Sequence, residues 1–393
     1  MPAPRLTRMR RVLAVLAVAA LATACGAGES ADTAAGEPAG SSSAAGGEQG
    51  VDALQAWYDG TAEQPPTTSP APVAGKEVWV VTCAQASLGC KLGGDAAVEA
   101  GTALGWKMEV CDGKFNAGGA QGACLRQALS AGADGVLTFS IDCANMQQGL
   151  IEASTAKVPV INISGIDCDD PLLGGTDPLF AHSVLPSSAY PDNATYLEAT
   201  GEARADWIIA QTDGKAKILA MDYEGQAGAA HVMKGFERGL EKCGDCEVVT
   251  IPFAGADIAT GKLPAKFQAA LVQNPDANAA YVTFDSFFLT GISQTIAASG
   301  RTDQLAVIGG EALPPNVEQI AEGSGGQDAA VSLPFAWSSY GAVDDLNRIF
   351  AGEQPVAQGF GFQLVDADHG IEGGQLVEKV DFRAAYRAAW GVS

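Results

Sequence analysis

Residues 122–163 read GACLRQALSAGADGVLTFSIDCANMQQGLIEASTAKVPVINI and contain the pattern that decides the fold. Two short apolar runs, 135–139 and 158–163, have the length of buried strands, and helical spacing of apolar residues covers 122–131 and 144–155. Helices between short apolar strands are typical of βαβ units, in which the strands run parallel. This stretch therefore predicts one part of a parallel α/β sheet.

The same alternation continues on both sides of this stretch. Before it, we predict strands at 78–82 and 107–111 around a helix at 93–104. After it, residues 174–193 are rich in Pro, Asp and Ser, which indicates a passage between domains. The alternation then restarts, with predicted helices at 198–211, 227–241, 262–273, 289–298 and 339–350 and predicted strands at 216–221, 246–251, 280–283, 305–308 and 329–333.

Two consecutive parallel-sheet halves predict a hinged protein with two lobes. We place the crossings between the lobes near 183–193, 333–338 and 358–366. Ligands of open α/β sheets sit at the carboxyl ends of the strands, so two such edges that face each other form one cleft. The predicted segments are a signal peptide at 1–24, a lipid-anchored disordered tether at 25–50, a helix and strap on the first lobe at 51–75, an N-terminal lobe formed by 76–183 with 338–360, and a C-terminal lobe formed by 184–335 with 361–393.

The amino terminus has the layout of a secretory signal peptide. Four arginines precede an apolar run, 12–22, that ends in Ala22-Thr23-Ala24-Cys25. This run is too short for a membrane span, which needs about 20 apolar residues. A cysteine after small residues resembles a lipobox, so we expect a lipid on Cys25 that holds the exported protein on the outer face of the cytoplasmic membrane. Residues 26–50 are rich in Gly, Ala, Ser and Glu and predict a disordered tether.

Charge and composition exclude several classes of function. The formal net charge is −23, and loss of the four arginines of the signal peptide changes it to −27. Such acidity argues against nucleic acid as a partner and fits the solvated surface of an exported protein. A hydrophobic content of 47% is sufficient for a buried core in each lobe. We expect a monomer that uses no cofactor and no metal.

The chain contains nine cysteines, of which eight remain if Cys25 carries lipid. An even number in an exported chain indicates disulfides. Their spacing suggests the pairs Cys83–Cys90, Cys111–Cys124, Cys143–Cys168 and Cys243–Cys246. The alternative for the last pair is a zinc site, but a second CxxC or a nearby pair of histidines is missing from the sequence.

Several short motifs keep the spacing of a known family. They are the opening unit from Val78 to Trp106, Ala131-Gly132-Ala133-Asp134-Gly135-Val136, Val158-Pro159-Val160-Ile161, Gly201 to Ile209, Lys234-Gly235-Phe236, Asn274-Pro275-Asp276 and Val307-Ile308-Gly309-Gly310-Glu311. With them, residues 76–365 resemble the ribose-type and galactose-type (type 1) periplasmic binding proteins, which share their fold with the ligand domains of LacI-like repressors. The resemblance implies an α/β protein with two Rossmann-like lobes, parallel sheets and a three-crossing hinge. It also implies a solute-binding lipoprotein of an ABC importer, whose partner is a membrane permease.

The resemblance also implies ligand-binding positions, at which this chain departs from sugar-binding relatives. The first loop, 85–90, lacks the usual stacking aromatics, and the loop after residue 163 lacks the usual arginine. The candidates are Gln85, Ser87, Phe139, Asp142, Ser164, Phe284, Asp285, Glu311, Phe335 and Trp337. Carboxylates and aromatic faces suit hydroxyl groups and sugar rings. We therefore expect a neutral sugar or polyol, with a cationic or heteroaromatic solute such as a nucleoside as the alternative, and we regard an anionic ligand as disfavoured.

Other interpretations of these residues stay open. The three phenylalanines also suit core positions, and Asp142 suits the cap of a helix that begins near Ala144. Residues 366–372 resemble a fragment of a calcium loop, for which a simple turn is the preferred interpretation. An Asp/Glu pair in a cleft also suits a secreted glycoside hydrolase, but three histidines without HExxH or GxSxG argue against metal or triad chemistry. We expect a binding protein, for import or for sensing, and not an enzyme.

Overall fold

The computed structural model describes residues 54–392. The predicted signal peptide, the lipidation site Cys25 and the tether lie outside the described residues. Within 54–392, every helix is too short or too polar to cross a membrane.

The first sheet has five parallel strands in the order β2-β1-β3-β4-β5. Its central strands are apolar almost throughout and are covered by helices on both faces, as parallel sheets require. The elements of this part of the chain are β1 Glu77–Thr82, α2 Leu88–Ala103, β2 Lys107–Asp112, α3 Ala120–Ala131, β3 Gly135–Phe139, α4 Gln147–Ala156, β4 Val160–Ile163 and β5 His182–Ser183, preceded by the helical residues 54–59 (α1).

The second sheet has the order β11-β10-β9-β8-β6-β7, in which only the edge strand β11 is antiparallel. Gly201 and Gly235 allow the backbones of α5 and α6 to touch, because a Cβ on either glycine would overlap the facing helix. The elements are α5 Asn193–Gln211, β6 Lys217–Tyr223, α6 Ala227–Leu240, β7 Glu247–Phe253, α7 Gly255–Ala259, α8 Leu263–Gln273, β8 Ala279–Tyr281, α9 Ser293–Ser299, β9 Ala306–Glu311, α10 Pro314–Glu322, β10 Ala329–Ser332, α11 Phe335–Ala351, β11 Gln363–Asp366, β12 Ile371–Glu372, β13 Gln375–Leu376 and α12 Phe382–Trp390.

The predicted fold of two α/β lobes with parallel sheets and a three-crossing hinge is confirmed. The crossings are 184–192, 333–334 and 352–362. The last two enclose α11, which lies on the first lobe, where Ser339 Oγ donates to the carbonyl of Gly93 in α2 (2.9 Å). Helix α12 stacks on α11 through the rings of Trp390 and Tyr340. The predicted boundaries of the C-terminal lobe, 184–335 with 361–393, include α12, whereas α12 packs on α11 of the first lobe, because sequence alone does not show this aromatic contact.

The segment before β1, called the strap here (residues 54–73), bridges both lobes, whereas we had expected it on the first lobe. It begins on the second lobe, where Tyr58 Oη donates to Asp366 (2.6 Å). It then pairs with the third crossing, since Thr61 N donates to the carbonyl of Phe362 (2.9 Å). It ends on the first lobe, where Val73 N donates to Asn347 of α11 (3.0 Å). Glycines at 359 and 361 leave room for this close approach of two backbones.

The four predicted disulfides are confirmed as Cys83–Cys90, Cys111–Cys124, Cys143–Cys168 and Cys243–Cys246. The first three lie in the first lobe, in or next to the loops that follow its strands. The last precedes β7, at the amino end of the second sheet.

Candidate ligand-binding cleft

A cavity of about 340 Å³ lies between the two lobes. Its wall comes from the loops after β1, β2, β3 and β4 of the first lobe, from α5, the segments after β6, β7 and β8 and the end of β9 in the second lobe, and from the start of α11. Both sheets therefore present their carboxyl ends to one space. This volume falls within the range of small-molecule sites, roughly 300–1,000 Å³.

Small polar side chains form much of the first-lobe side of the cavity. Ser87 precedes α2, and Ser140 and Ser164 directly follow β3 and β4. Ser140 and Ser164 have φ values of 51° and 57°, in the left-handed region that residues other than glycine rarely adopt. Strained backbone of this kind clusters at functional sites, so these two turns fit a binding role.

Asp142 also lines the cavity, and it connects the lobes. Its carboxylate accepts hydrogen bonds from Ile166 N in the first lobe (3.0 Å) and from Ala227 N in the first turn of α6 in the second lobe (2.8 Å). The alternative interpretation, in which Asp142 caps the helix that follows it, is wrong, because its side chain makes no capping hydrogen bond to that helical turn. Burial raises the pKa of Asp142. The bond to Ala227 therefore joins the two lobes beside the cavity.

The two carboxylates predicted on the second lobe have different environments. Glu311 lines the cavity, and its Oε2 accepts from Ser286 N (2.9 Å) and Ser286 Oγ (3.2 Å). Burial, together with the negative charge of Asp285, raises the pKa of Glu311 to about 8. Asp285 itself is fully buried and is not part of the wall. Its carboxylate accepts from Ala312 N (2.7 Å) and Gln327 Nε2 (2.8 Å), so it holds loops together behind the cavity.

Arg204 of α5 lines the cavity but was not predicted from the sequence. Its side chain is buried, and Nη1 donates to the carbonyl of Thr283, two residues after the end of β8 (3.2 Å). Gly310 makes room for it, since a Cβ on Gly310 would overlap the guanidinium. Among the described residues, its buried Nε and Nη2 have no hydrogen-bond partner of good geometry. Arginine in mid-helix gives no sequence signal of this placement.

Aromatic rings from both lobes and the hinge complete the wall. Phe335 lies edge-on to Phe139 with ring centroids 5.2 Å apart, and Phe284 lies edge-on to Tyr223 at 6.5 Å. Phe139 is almost fully buried, whereas Phe284 and Phe335 are half-buried and offer ring surface to the cavity. Tyr223 and Phe115 also line the cavity and were not predicted.

The structure places two further predicted residues away from the wall. Gln85 Nε2 donates to Thr82 Oγ1 (2.9 Å), which holds the amide inside the first lobe. Trp337 donates to the carbonyl of Gln358 (3.0 Å) and stacks on Phe382 of α12. Ligand contact stays a prediction for the candidates that do line the cavity, which are Ser87, Phe139, Asp142, Ser164, Phe284, Glu311 and Phe335.

One group of potential metal ligands occurs in the part of the chain that the structure describes. It consists of Cys143, Asp167 and Cys168. Both cysteines form a disulfide with each other, so they do not offer thiolates to a metal.

Comparisons with known proteins agree with this architecture. A solute-binding protein of an ABC transporter from Mycobacterium smegmatis, solved with bound glycerol, has a TM-score of 0.64 and 20% identity over 78% of this chain and 100% of that chain. GanP, a glucose-galactose binding protein from Geobacillus stearothermophilus, has a TM-score of 0.62 and 20% identity over 75% and 98%. A periplasmic solute-binding protein from Actinobacillus succinogenes, solved with bound D-allose, has a TM-score of 0.63 and 12% identity over 75% and 98%.

At such low identity these structures show a shared fold alone. No curated protein sequence matches the chain. The family model described as the periplasmic binding protein domain, however, matches residues 80–354, well over half of the sequence. The chain therefore belongs to the periplasmic binding protein domain family.

Proposed function

We propose that this protein is the solute-binding lipoprotein of an ABC importer, which captures a sugar or polyol by closing its two lobes and does not convert it. The observation that carries the proposal is a cavity at the carboxyl ends of both sheets, lined by both lobes and the hinge, in a member of this family. A ligand that contacts both lobes favours the closed form, since a ligand shifts an equilibrium toward the conformation that it binds better.

The chemistry of the wall supports a polyhydroxylated ligand. Serine hydroxyls on one side and Glu311 on the other provide donors and acceptors for several hydroxyl groups. The half-buried rings of Phe284 and Phe335 suit the apolar face of a sugar. Two of the similar structures contain glycerol and D-allose, which belong to this class of molecule.

The test is titration calorimetry with D-glucose, D-galactose, D-allose, glycerol and adenosine, the last for the heteroaromatic alternative. We expect one of the first four to bind, and Glu311→Ala to weaken that binding by about tenfold, because the wall loses a side chain that both donates and accepts hydrogen bonds. The matched control is Glu318→Ala on the exposed side of α10, which should bind like the wild type. Binding of adenosine alone would contradict the sugar assignment.

The remaining parts of the proposal have separate tests. Recovery of the bound sugar unchanged after long incubation supports a binding protein, whereas a new product would identify an enzyme. Incorporation of labelled palmitate into the wild type but not into Cys25→Ser supports the lipid anchor. Labelling that persists in the variant would refute it.

A further inference from the structure

A histidine joins the two lobes outside the cavity. His231 lies on α6 of the second lobe, and its side chain is buried. Its Nε2 is 2.9 Å from Oδ2 of Asp170, which belongs to the loop between β4 and β5 of the first lobe. Its Nδ1 is 3.1 Å from Oε1 of Glu198 on the neighbouring helix α5. The imidazole thus has one carboxylate in its own lobe and one across the cleft.

These two contacts decide how many protons the imidazole carries. An ionised carboxylate only accepts hydrogen bonds, and a neutral imidazole has a single N–H to donate. Although burial raises the pKa of Glu198, hydrogen bonds from Lys234, Arg238 and His231 together lower it to about 2, so Glu198 is ionised. Both nitrogens of His231 therefore donate only when the ring is an imidazolium.

The other charged groups around the imidazole have partners other than Asp170, so they do not replace His231 as its hydrogen-bond donor. Lys234 and Arg238 of α6 both pair with Glu198 and not with Asp170. Asp142 faces the site from the first lobe, but its two oxygens accept from backbone N–H groups of Ile166 and Ala227.

Asp170 is held in position from its own lobe. Its Oδ1 accepts from Leu172 N (2.8 Å), and the Cys143–Cys168 disulfide fixes the start of its loop. Its second oxygen is thereby left for His231.

We propose that His231 is a proton-dependent latch of the closed form, which holds Asp170 of the opposite lobe only as an imidazolium. When the lobes separate, Asp170 moves away and a neutral ring satisfies Glu198 with one N–H. Closure therefore takes up a proton, and acidification favours the closed, ligand-retaining form. This inference rests on the lobe closure of the proposed function, but it concerns a contact that the ligand does not touch.

The test is the radius of gyration of the unliganded protein, measured by small-angle X-ray scattering between pH 8.5 and pH 5.5, where histidine commonly titrates. We expect the wild type to become more compact as the pH falls. Asp170→Asn and His231→Gln should keep the same radius at both ends of the range. A wild type that does not respond, or variants that respond like the wild type, would overturn the latch.

The two other histidines provide matched controls, because each is paired with an aspartate of its own lobe. His182 lies 3.2 Å from Asp345 in the first lobe, and His369 lies 2.8 Å from Asp366 in the second. His182→Gln and His369→Gln should retain the response of the wild type. Loss of the response in these controls would assign it to histidines in general and refute the specific role of His231.

Failure of the latch and failure of the proposed function are distinguishable, since the scattering experiment contains no sugar. If D-galactose binds, its Kd should fall by roughly tenfold from pH 8 to pH 5.5, because closure takes up the proton that completes the contact with Asp170. The fall should be less than about twofold in Asp170→Asn. An equal fall in both proteins would overturn the latch while leaving sugar binding intact. Asp170→Asn replaces only a loop carboxylate, so it serves if His231→Gln does not fold.

Discussion

The cleft-facing edges of the two lobes are held by different forces. In the first lobe, three disulfides fix the loops at the carboxyl ends of the strands. In the second lobe, the only disulfide lies at the opposite edge of the sheet, and the loops are held by buried polar side chains. There Asn316 Nδ2 donates to Gln327 Oε1 (2.8 Å), and Gln327 Nε2 donates to Asp285 (2.8 Å).

The loops at the two edges are therefore held in place by two physical means that respond to different perturbations. A disulfide acts mainly by limiting the unfolded chain and does not titrate near neutral pH. A buried carboxylate network acts in the folded state and depends on protonation and on every partner. The first lobe should therefore respond to reduction, and the second to pH and to single polar substitutions.

The largest effect is expected from Asp285→Ala, which removes the centre of the second-lobe network. The variant leaves the buried donors of Ala312 N and Gln327 without their acceptor. Each such group costs about 1–3 kcal/mol, so we expect a loss of roughly 4 kcal/mol in the free energy of unfolding, measured by urea denaturation. Asp285→Asn keeps one acceptor oxygen and should lose less than half as much. A loss below about 1 kcal/mol in the alanine variant would show that the network is dispensable.

The next effect comes from the disulfides. The double variant Cys143→Ser/Cys168→Ser opens a loop with a sequence separation of 25 and should lower the free energy of unfolding by about 3 kcal/mol. The variant should also bind the ligand more weakly, because Ser164 and Asp142 lie beside this loop. The matched variant Cys243→Ser/Cys246→Ser opens a separation of only 3 and should cost about 2 kcal/mol without a change in affinity. Equal effects on affinity would contradict the proposed role of the first-lobe disulfides.

A smaller effect is the pH dependence of stability that Glu311 produces. Its pKa in the folded protein, about 8, is above the ordinary value of 4.5, so the folded state binds this proton more tightly than the unfolded state. The stabilisation is complete below about pH 4.5 and is lost as the pH rises through about 8. We expect the free energy of unfolding, measured by thermal unfolding, to fall by roughly 2 kcal/mol between pH 6 and pH 8.5. Glu311→Gln should lose most of this slope, and an unchanged slope in that variant would assign the loss to other groups.

The smallest effect tests the strained turns of the first lobe. Glycine tolerates positive φ, so Ser164→Gly should stabilise the fold by about 0.5 kcal/mol. It should also lower the affinity for a polyol about fivefold, because the cavity wall loses one hydroxyl group. Lys157→Gly is the control, since Lys157 has φ 60° at the end of α4, outside the cavity wall. It should give the same stabilisation with unchanged affinity in calorimetry. Weaker binding in both variants would show that the lower affinity comes from the change in backbone conformation and not from the lost hydroxyl group.

The features that the sequence predicted depend on local pattern. Alternating strands and helices gave both sheets, because apolar periodicity reflects burial on a parallel sheet. Spacing gave the disulfides, and the position of Glu311 at the end of a strand gave a wall residue. Where a glycine changes the backbone, the pattern failed: the predicted helix 289–298 becomes regular only at Ser293, after Gly291 with φ 126°.

The features that were missed depend on contacts between distant segments. Arg204 reaches the cavity only because α5 packs on β9 at Gly310. Asp285 is a strand-end carboxylate like Glu311, but Gln327, which lies 42 residues further along the chain, draws it into the core. The latch residue His231 lies beside Asp170, which is 61 residues away in the chain and belongs to the other lobe. Residue type and spacing along the chain do not show such contacts, because the contacts form only in the folded protein.

The strap has a practical consequence for anyone who shortens this protein. The family match begins at residue 80, which suggests a minimal domain that starts there. Such a truncation would delete the anchor of Tyr58 on Asp366 and of Val73 on Asn347, and with them a fourth link between the lobes. A protein that starts at residue 80 would therefore lack a restraint on the relative position of the lobes that the longer chain has.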